Sequence, residues 1–267
     1  MSKSKHRWLI ISIVAMVLVT IDAMIDGVDI ALFAFPLNVL LALLWIIVVA
    51  RLWHKRNTTI GEFMLSADAT KISLGLMAVV GIVLGTQAEP KTTSISVITA
   101  IIFTLTHLSL IILRGWRNAK GIRWRFTFLH CGLWLLLGAG FWGAPDRSVV
   151  RMALGEGERS TIAYTTDGAA QELGYEVELC NLLSEQDGAG RLTKIEADVV
   201  VDGKRATLSV NHPMSKGVGT KIYIVNDGKD GYAVIEIINE PWLYISFIGI
   251  MMLLVGAIMM FAIGPKK

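Results

Sequence analysis

Apolar residues along this chain come in six long blocks, and over one stretch before the last block they give way to strict alternation. The blocks are Trp8 to Met24, Ile30 to Ala50, Ile72 to Gln87, Ile95 to Leu113, Phe126 to Gly143 and Leu243 to Ile263. A hydrocarbon core is crossed by roughly 20 residues at about 1.5 Å each, and no polar stripe recurs within a block as it would in a soluble amphipathic helix. The six blocks therefore predict transmembrane helices.

Details within the blocks carry further expectations. The third is the shortest, and its Gly75, Gly81 and Gly85 are expected to let a neighbouring helix approach closely. Pro36 is expected to kink the second, because proline removes a backbone donor and crowds the preceding turn. The first opens on Lys3, Lys5 and Arg7 as a signal peptide does, but Asp22, Asp26 and Asp29 follow without a small-residue cleavage site. A retained helix is expected there.

From Ala144 to Glu240 the period falls to two. Tyr175, Val177 and Leu179 share one face of a strand with Glu176 and Glu178 on the other, and Ile195, Ala197, Val199 and Val201 repeat the pattern before Asp202-Gly203. That dipeptide signals a hairpin, since a two-residue turn needs positive φ at both central positions. Asp167-Gly168, Asp187-Gly188 and Asp227-Gly228 are further turn candidates. A small β meander or sandwich follows.

Composition agrees with a lipid environment: of 267 residues 54% are hydrophobic and 18% charged, with a mean hydropathy of +0.58. The net charge of +3 is small and spread in short runs between the blocks, which argues against nucleic acid as a partner. Those runs alternate. Lys3, Lys5 and Arg7 precede the first block, Arg51, Lys55 and Arg56 follow the second, Arg114, Arg117, Lys120, Arg123 and Arg125 join the fourth to the fifth, and Lys266 and Lys267 close the sequence. The positive-inside rule then puts both termini in the cytoplasm and the long segment after the fifth block outside. The expected fold is a membrane α-helical bundle of about six transmembrane helices with an inserted, mainly β extracytoplasmic domain. Residues 1–143 hold five helices, 144–240 the β domain and 241–267 the last helix.

Familiar catalytic signatures are absent. The β domain has no HExxH, no GxSxG and no cluster of Cys and His, so hydrolase and zinc chemistry lack support there, and no catalytic residue is put forward. Cys131 falls in a span and Cys180 in the β domain, which makes a disulfide between them unexpected. A solute transporter would want paired charges or broken helices at mid-membrane, and the blocks carry almost no charge.

Three histidines are candidates for chemistry. His107 lies in TLTHLSLIIL of the fourth block and His130 in FTFLHCGLWLLLG of the fifth, and ionisable residues inside spans often line functional paths. They lie roughly 10 Å and 8 Å from the cytoplasmic ends of their helices, at about 1.5 Å per residue, so adjacent antiparallel helices could bring the imidazoles together. A neutral imidazole is a good haem-iron ligand, and an apolar cleft suits a porphyrin face. The competing reading is structural: each histidine bonds a neighbouring helix, with Thr104, Thr106, Ser109 or Thr127 as partner. His212, in SVNHPMSKG, reads as a solvated turn residue shaped by Asn211 and Pro213, with a ligand role as the alternative.

Two stretches carry a family resemblance. They are FLHCGLWLLLGAGFWGAPDRSVVRMALGEGE, and LSVNHPMSKGVGTKIYIVNDG followed by YAVIEIINEPWLYISFIGIMMLLVGAIMMF; FMLSADATKISLGLMAVVGIVLG is a weaker third. With its Asn-His-Pro turn, Gly-x-x-Ile-Tyr strand and closing span, the chain resembles the ResB (CcsB-type) family, the haem-handling membrane subunit of bacterial cytochrome c biogenesis system II. The resemblance implies haem export across the inner membrane and its presentation for thioether attachment to apocytochrome c, beside a CcsA-type synthetase partner. It puts the intramembrane haem ligand on His130; His107 rests on depth alone, and His212 belongs to the family's turn. No metal other than haem iron is implied. The tryptophan-rich motif of the partner is missing, with Trp134 and Trp142 isolated in sequence, so the chain is not expected to complete attachment alone. Many family members look like four-span proteins with a larger outer domain, which this chain does not match. The reading that competes is a structural or interaction subunit whose β domain docks a membrane partner without touching haem.

Overall fold

The computed structural model describes residue 22 and residues 27–86, 93–186, 192–226 and 232–263. The chain divides into a helical unit, within Met1–Pro145 and Ile245–Lys267, and a β unit, Asp146–Tyr244. The first expected span lies outside the described residues except for Asp22, whose carboxylate accepts the Ser96 backbone N–H at 3.2 Å and is also bonded by the Ser96 hydroxyl.

The helices of the first unit are α1 (Leu37–His54), the short α2 (Thr59–Met64), α3 (Ala67–Thr86), α4 (Ile95–Gly115), α5 (Trp124–Gly143) and α6 (Leu243–Ile263). Five of them, all but α2, are long and apolar enough to cross a membrane. Pro36 does not kink a span. It is the N-cap of α1, behind a 3-10 turn at Ile30–Phe33, because a first-turn position has no intrahelical use for the N–H that proline lacks. α3 begins five residues before its apolar block: the Ser66 hydroxyl caps it through the Ala69 N–H at 3.3 Å, and the polar first turn is helix that hydropathy does not reveal.

α4 is the hub. Its side chains are the most buried of the bundle, and its hydroxyls reach three neighbours. Thr104 accepts from Ser73 of α3 at 3.1 Å, Thr106 accepts the indole N–H of Trp45 of α1 at 2.9 Å, and Ser109 accepts that of Trp134 of α5 at 2.8 Å. Each contact satisfies a polar group that lipid could not. Large apolar side chains cover the outside of α1, α3 and α6, among them Leu44, Ile47, Val79, Ile82, Phe247 and Ile258.

Close helix packing uses other glycines than those expected. A Cβ at Gly75, Gly81 or Gly85 would meet nothing within 4 Å, whereas one at Gly132 of α5 would lie 2.8 Å from the Gly249 carbonyl oxygen of α6, and one at Gly249 would lie 2.8 Å from that of Gly132. The two backbones touch at this crossing.

α4 and α5 are joined by a small hairpin, β1 (Arg117–Asn118) with β2 (Gly121–Ile122). The β unit holds β3 (Ser148–Gly155), β4 (Arg159–Thr165), β5 (Ala170–Gln186), β6 (Leu192–Val201), β7 (Lys204–Ser209), β8 (Met214–Lys216), β9 (Thr220–Asn226) and β10 (Tyr232–Asn239). They form one antiparallel sheet in the order β7-β6-β5-β4-β3-β10-β9-β8. It is a meander whose first strand pairs with its last, curled about a single core, rather than two packed sheets. Val150, Met152, Val177, Leu179, Ile195, Val199, Leu208, Ile222 and Ile235 all belong to that core. The two sheet edges meet at the Ser209–His212 bridge and again where Lys216 reaches Asp202 at 3.1 Å and lies over the Tyr175 ring at 4.2 Å. Burial beneath this clasp raises the Tyr175 hydroxyl above its ordinary pKa.

The alternation read along β5 and β6 points inward as expected at Val177, Leu179, Ile195, Ala197, Val199 and Val201. A bulge between Leu179 and Asn181 then shifts the phase, so that Leu182 packs against the core. Asp202 (φ 52) and Gly203 (φ 74) make the tight turn, and Gly168 (φ 87) turns β4 into β5. Asp187-Gly188 and Asp227-Gly228 lie outside the described residues. Where the chain enters and leaves the sheet, Arg147 pairs with Glu240 at 2.7 Å and the Trp242 indole donates to Asp146 at 2.7 Å.

Candidate functional site

His107 is buried on α4. Its Nδ1 lies 2.7 Å from the Met64 carbonyl oxygen and its Nε2 3.1 Å from the Thr70 hydroxyl. A carbonyl only accepts, so Nδ1 carries the proton and Nε2 accepts from Thr70. Both ring nitrogens are thus engaged, and together with Arg114, which donates to the Leu65 carbonyl at 2.7 Å, they hold the corner between α2 and α3 against α4.

His130 differs at the nitrogen that matters for ligation. Its Nδ1 donates to the Phe126 carbonyl one turn back on α5 at 2.9 Å, which leaves the lone pair on Nε2. Among the described residues Nε2 has no hydrogen-bond partner, while every buried side-chain nitrogen or oxygen has one. The residue itself is half-buried. The imidazole stacks on the Phe126 ring with centroids 3.9 Å apart and 22° between planes, and the Arg123 guanidinium lies 4.8 Å over the same ring. Phe126 is in turn seated on Gly115, where a Cβ would come within 2.5 Å of it.

The two imidazoles do not meet. Ser109 bonds α5 through Trp134, and His107, two residues and thus about 200° away round α4, is turned to α2 and α3. Matching depth along two helices does not fix facing direction. The hydroxyls expected as histidine partners also go elsewhere: Thr104 to Ser73, Thr106 and Ser109 to indoles, and Thr127 to the Trp116 carbonyl at 3.5 Å.

Tryptophans isolated in sequence are gathered in space. Trp45 stacks on Trp134 at 6.1 Å with 27° between planes and approaches Trp142 at 6.2 Å. The buried Asn38 amide donates to the Trp142 carbonyl at 2.9 Å. The spacing of eight between Trp134 and Trp142, two helical turns, is the signal that places both on one face; Trp45 had none.

His212 is exposed in the turn between β7 and β8, with Nδ1 donating to the Val210 carbonyl at 3.0 Å, and Asn211 (φ 63) supplies the left-handed residue. This matches the expected turn role. Cys131 and Cys180 are both free thiols. Among the described residues no three His, Cys, Asp or Glu side chains gather as a metal site. A porphyrin-held iron asks less of the protein, one or two axial donors, and a neutral imidazole whose Nε2 is not otherwise bonded has the chemistry of such a donor.

The class that the fold defines is a helical membrane protein carrying a near-closed eight-stranded β domain. No protein-family model matches the chain, and no curated protein does. Among solved structures it is similar to one described as "Cytochrome c Heme Lyase CcmF", with a TM-score of 0.41 and 14% identity, over 71% of this chain and 33% of that one. The chain thus spans about a third of that protein's length. A likeness of this size fixes neither family nor activity.

Proposed function

We propose that this chain is a membrane subunit of a cytochrome c maturation complex, in which His130 binds haem within the membrane for delivery to the outer face and attachment to apocytochrome c. It works beside a CcsA-type partner in the bacterial inner membrane, with both termini cytoplasmic and the β domain outside. The observation that carries the reading is the state of His130: Nδ1 is committed to Phe126, so Nε2 keeps its lone pair and has no partner among the described residues. The residue falls in the first of the stretches that resemble the ResB family. Haem is the cargo, whose iron takes the imidazole and whose vinyl groups are consumed by thioether attachment. His107, with both nitrogens engaged, is assigned to the fold, although depth alone had made it a second axial candidate. His212, exposed on the β domain, is the candidate haem contact on the outer face.

The test is the absorption spectrum of the chain purified with its partner. A Soret band is expected, lost in His130→Ala and kept in a folded His107→Ala. Unchanged haem content in His130→Ala overturns the ligand assignment. A wild-type complex without haem absorbance, whose assembly fails when residues 144–240 are deleted, favours instead a subunit that only docks its partner through the β domain.

A further inference from the structure

Resting on His130 as the haem ligand, we infer that Arg123 recognises a carboxylate of the bound porphyrin, so that the site selects the free diacid over uncharged derivatives. Arg123 is the N-cap residue of α5, exposed at the end of the span, and its guanidinium lies over the ring on which His130 stacks. Spacings of 4.8 Å and 3.9 Å on that shared ring put the charge within about 9 Å of the imidazole. That reach is comparable with the distance from the centre of a porphyrin to the ends of its propionates.

Three features favour an anion here. Nη1 donates to the Gly115 carbonyl at 3.2 Å, which fixes the guanidinium and leaves most of its five donors for a planar, two-oxygen acceptor. No acidic side chain among the described residues pairs with Arg123. The N-terminus of α5 has no side-chain cap, and its helix dipole adds to the positive field at the same point. A lysine would supply charge without the fork.

The experiment titrates haem and haem dimethyl ester into the full chain in a neutral detergent free of anionic lipid, which removes lipid phosphate as a rival anion. Binding is followed by the Soret shift. Wild type is expected to take haem roughly tenfold more tightly than the ester, the size of one partly exposed charge-assisted contact. Arg123→Gln should abolish that preference by weakening haem alone, and Arg123→Lys should keep part of it. Equal affinities in wild type overturn the inference without any variant, and so does a preference unchanged in Arg123→Gln. If neither porphyrin gives a spectrum that His130→Ala removes, the haem reading itself has failed, and this inference with it.

Discussion

Alanine at position 132 should push the last helix away from the bundle. An ideal Cβ there lies 2.8 Å from the Gly249 carbonyl oxygen, 2.9 Å from the Leu253 nitrogen and 3.0 Å from the Met252 Cβ, and the first two are backbone atoms that cannot rotate aside. Ordinary contact needs about 3.5 Å, so α5 and α6 must part by roughly half an ångström, and a gap of that order forfeits a quarter or more of the dispersion energy along the seam. Overpacking of this kind costs about 1–3 kcal/mol, against which the better helix propensity of alanine returns about 1 kcal/mol. Gly140 on the same helix is the matched control, since a Cβ there meets nothing within 4 Å and only the propensity gain remains. In equilibrium unfolding titrations of the purified protein in mixed micelles, Gly132→Ala should be less stable than Gly140→Ala by about 2 kcal/mol. Gly249→Ala should repeat the loss, and the double variant should fall short of the sum, because both substitutions open one contact. If Gly132→Ala is as stable as Gly140→Ala, the crossing is not where the structure puts it.

Two further outcomes follow from the polar groups. His107→Ala leaves the Met64 carbonyl without its donor and should cost about 1–3 kcal/mol in the same titration, and release of the corner between α2 and α3 should appear as faster amide exchange at residues 59–66. Protection unchanged there would refute the pin. In the β unit, a hydrogen bond from the Thr207 hydroxyl, aided by Arg205, holds the Asp198 carboxyl below its usual range. A depressed carboxylate stabilises the fold above its unfolded pKa of about 3.9 and loses that contribution as pH falls through the folded value. Asp198→Asn should therefore be slightly less stable near neutrality, with the difference closing in acid; a gap that persists in acid would contradict the assignment.

Much of the architecture was legible from local pattern. Lipid forces each span to be a continuous apolar helix, so hydropathy alone located α1, α3, α4, α5 and α6, the last three to within two residues at each end. Ends were less legible, because α3 starts on a capped polar turn and α1 starts behind Pro36 rather than bending at it. Period two likewise exposed the inward face of β6, and Asp202-Gly203 its turn. The bulge after Leu179 was not visible, since one extra residue inverts the phase without altering composition.

For the candidate site, sequence singled out His107 and His130 as ionisable groups in apolar helices and gave their depth, because rise per residue is constant along a helix. It did not give rotation. Which way α4 turns His107 depends on how α2, α3 and α5 pack round it, and that packing spent both nitrogens of His107 while Nε2 of His130 has no partner among the described residues. The same cause explains the glycines: Gly75, Gly81 and Gly85 have the small-residue pattern, but α5 and α6 meet at Gly132 and Gly249, because a contact belongs to two helices and a pattern only to one. Residue type and spacing determined what each segment is. Which face meets which neighbour, and so which imidazole nitrogens are taken up by the fold, was decided only by the tertiary structure.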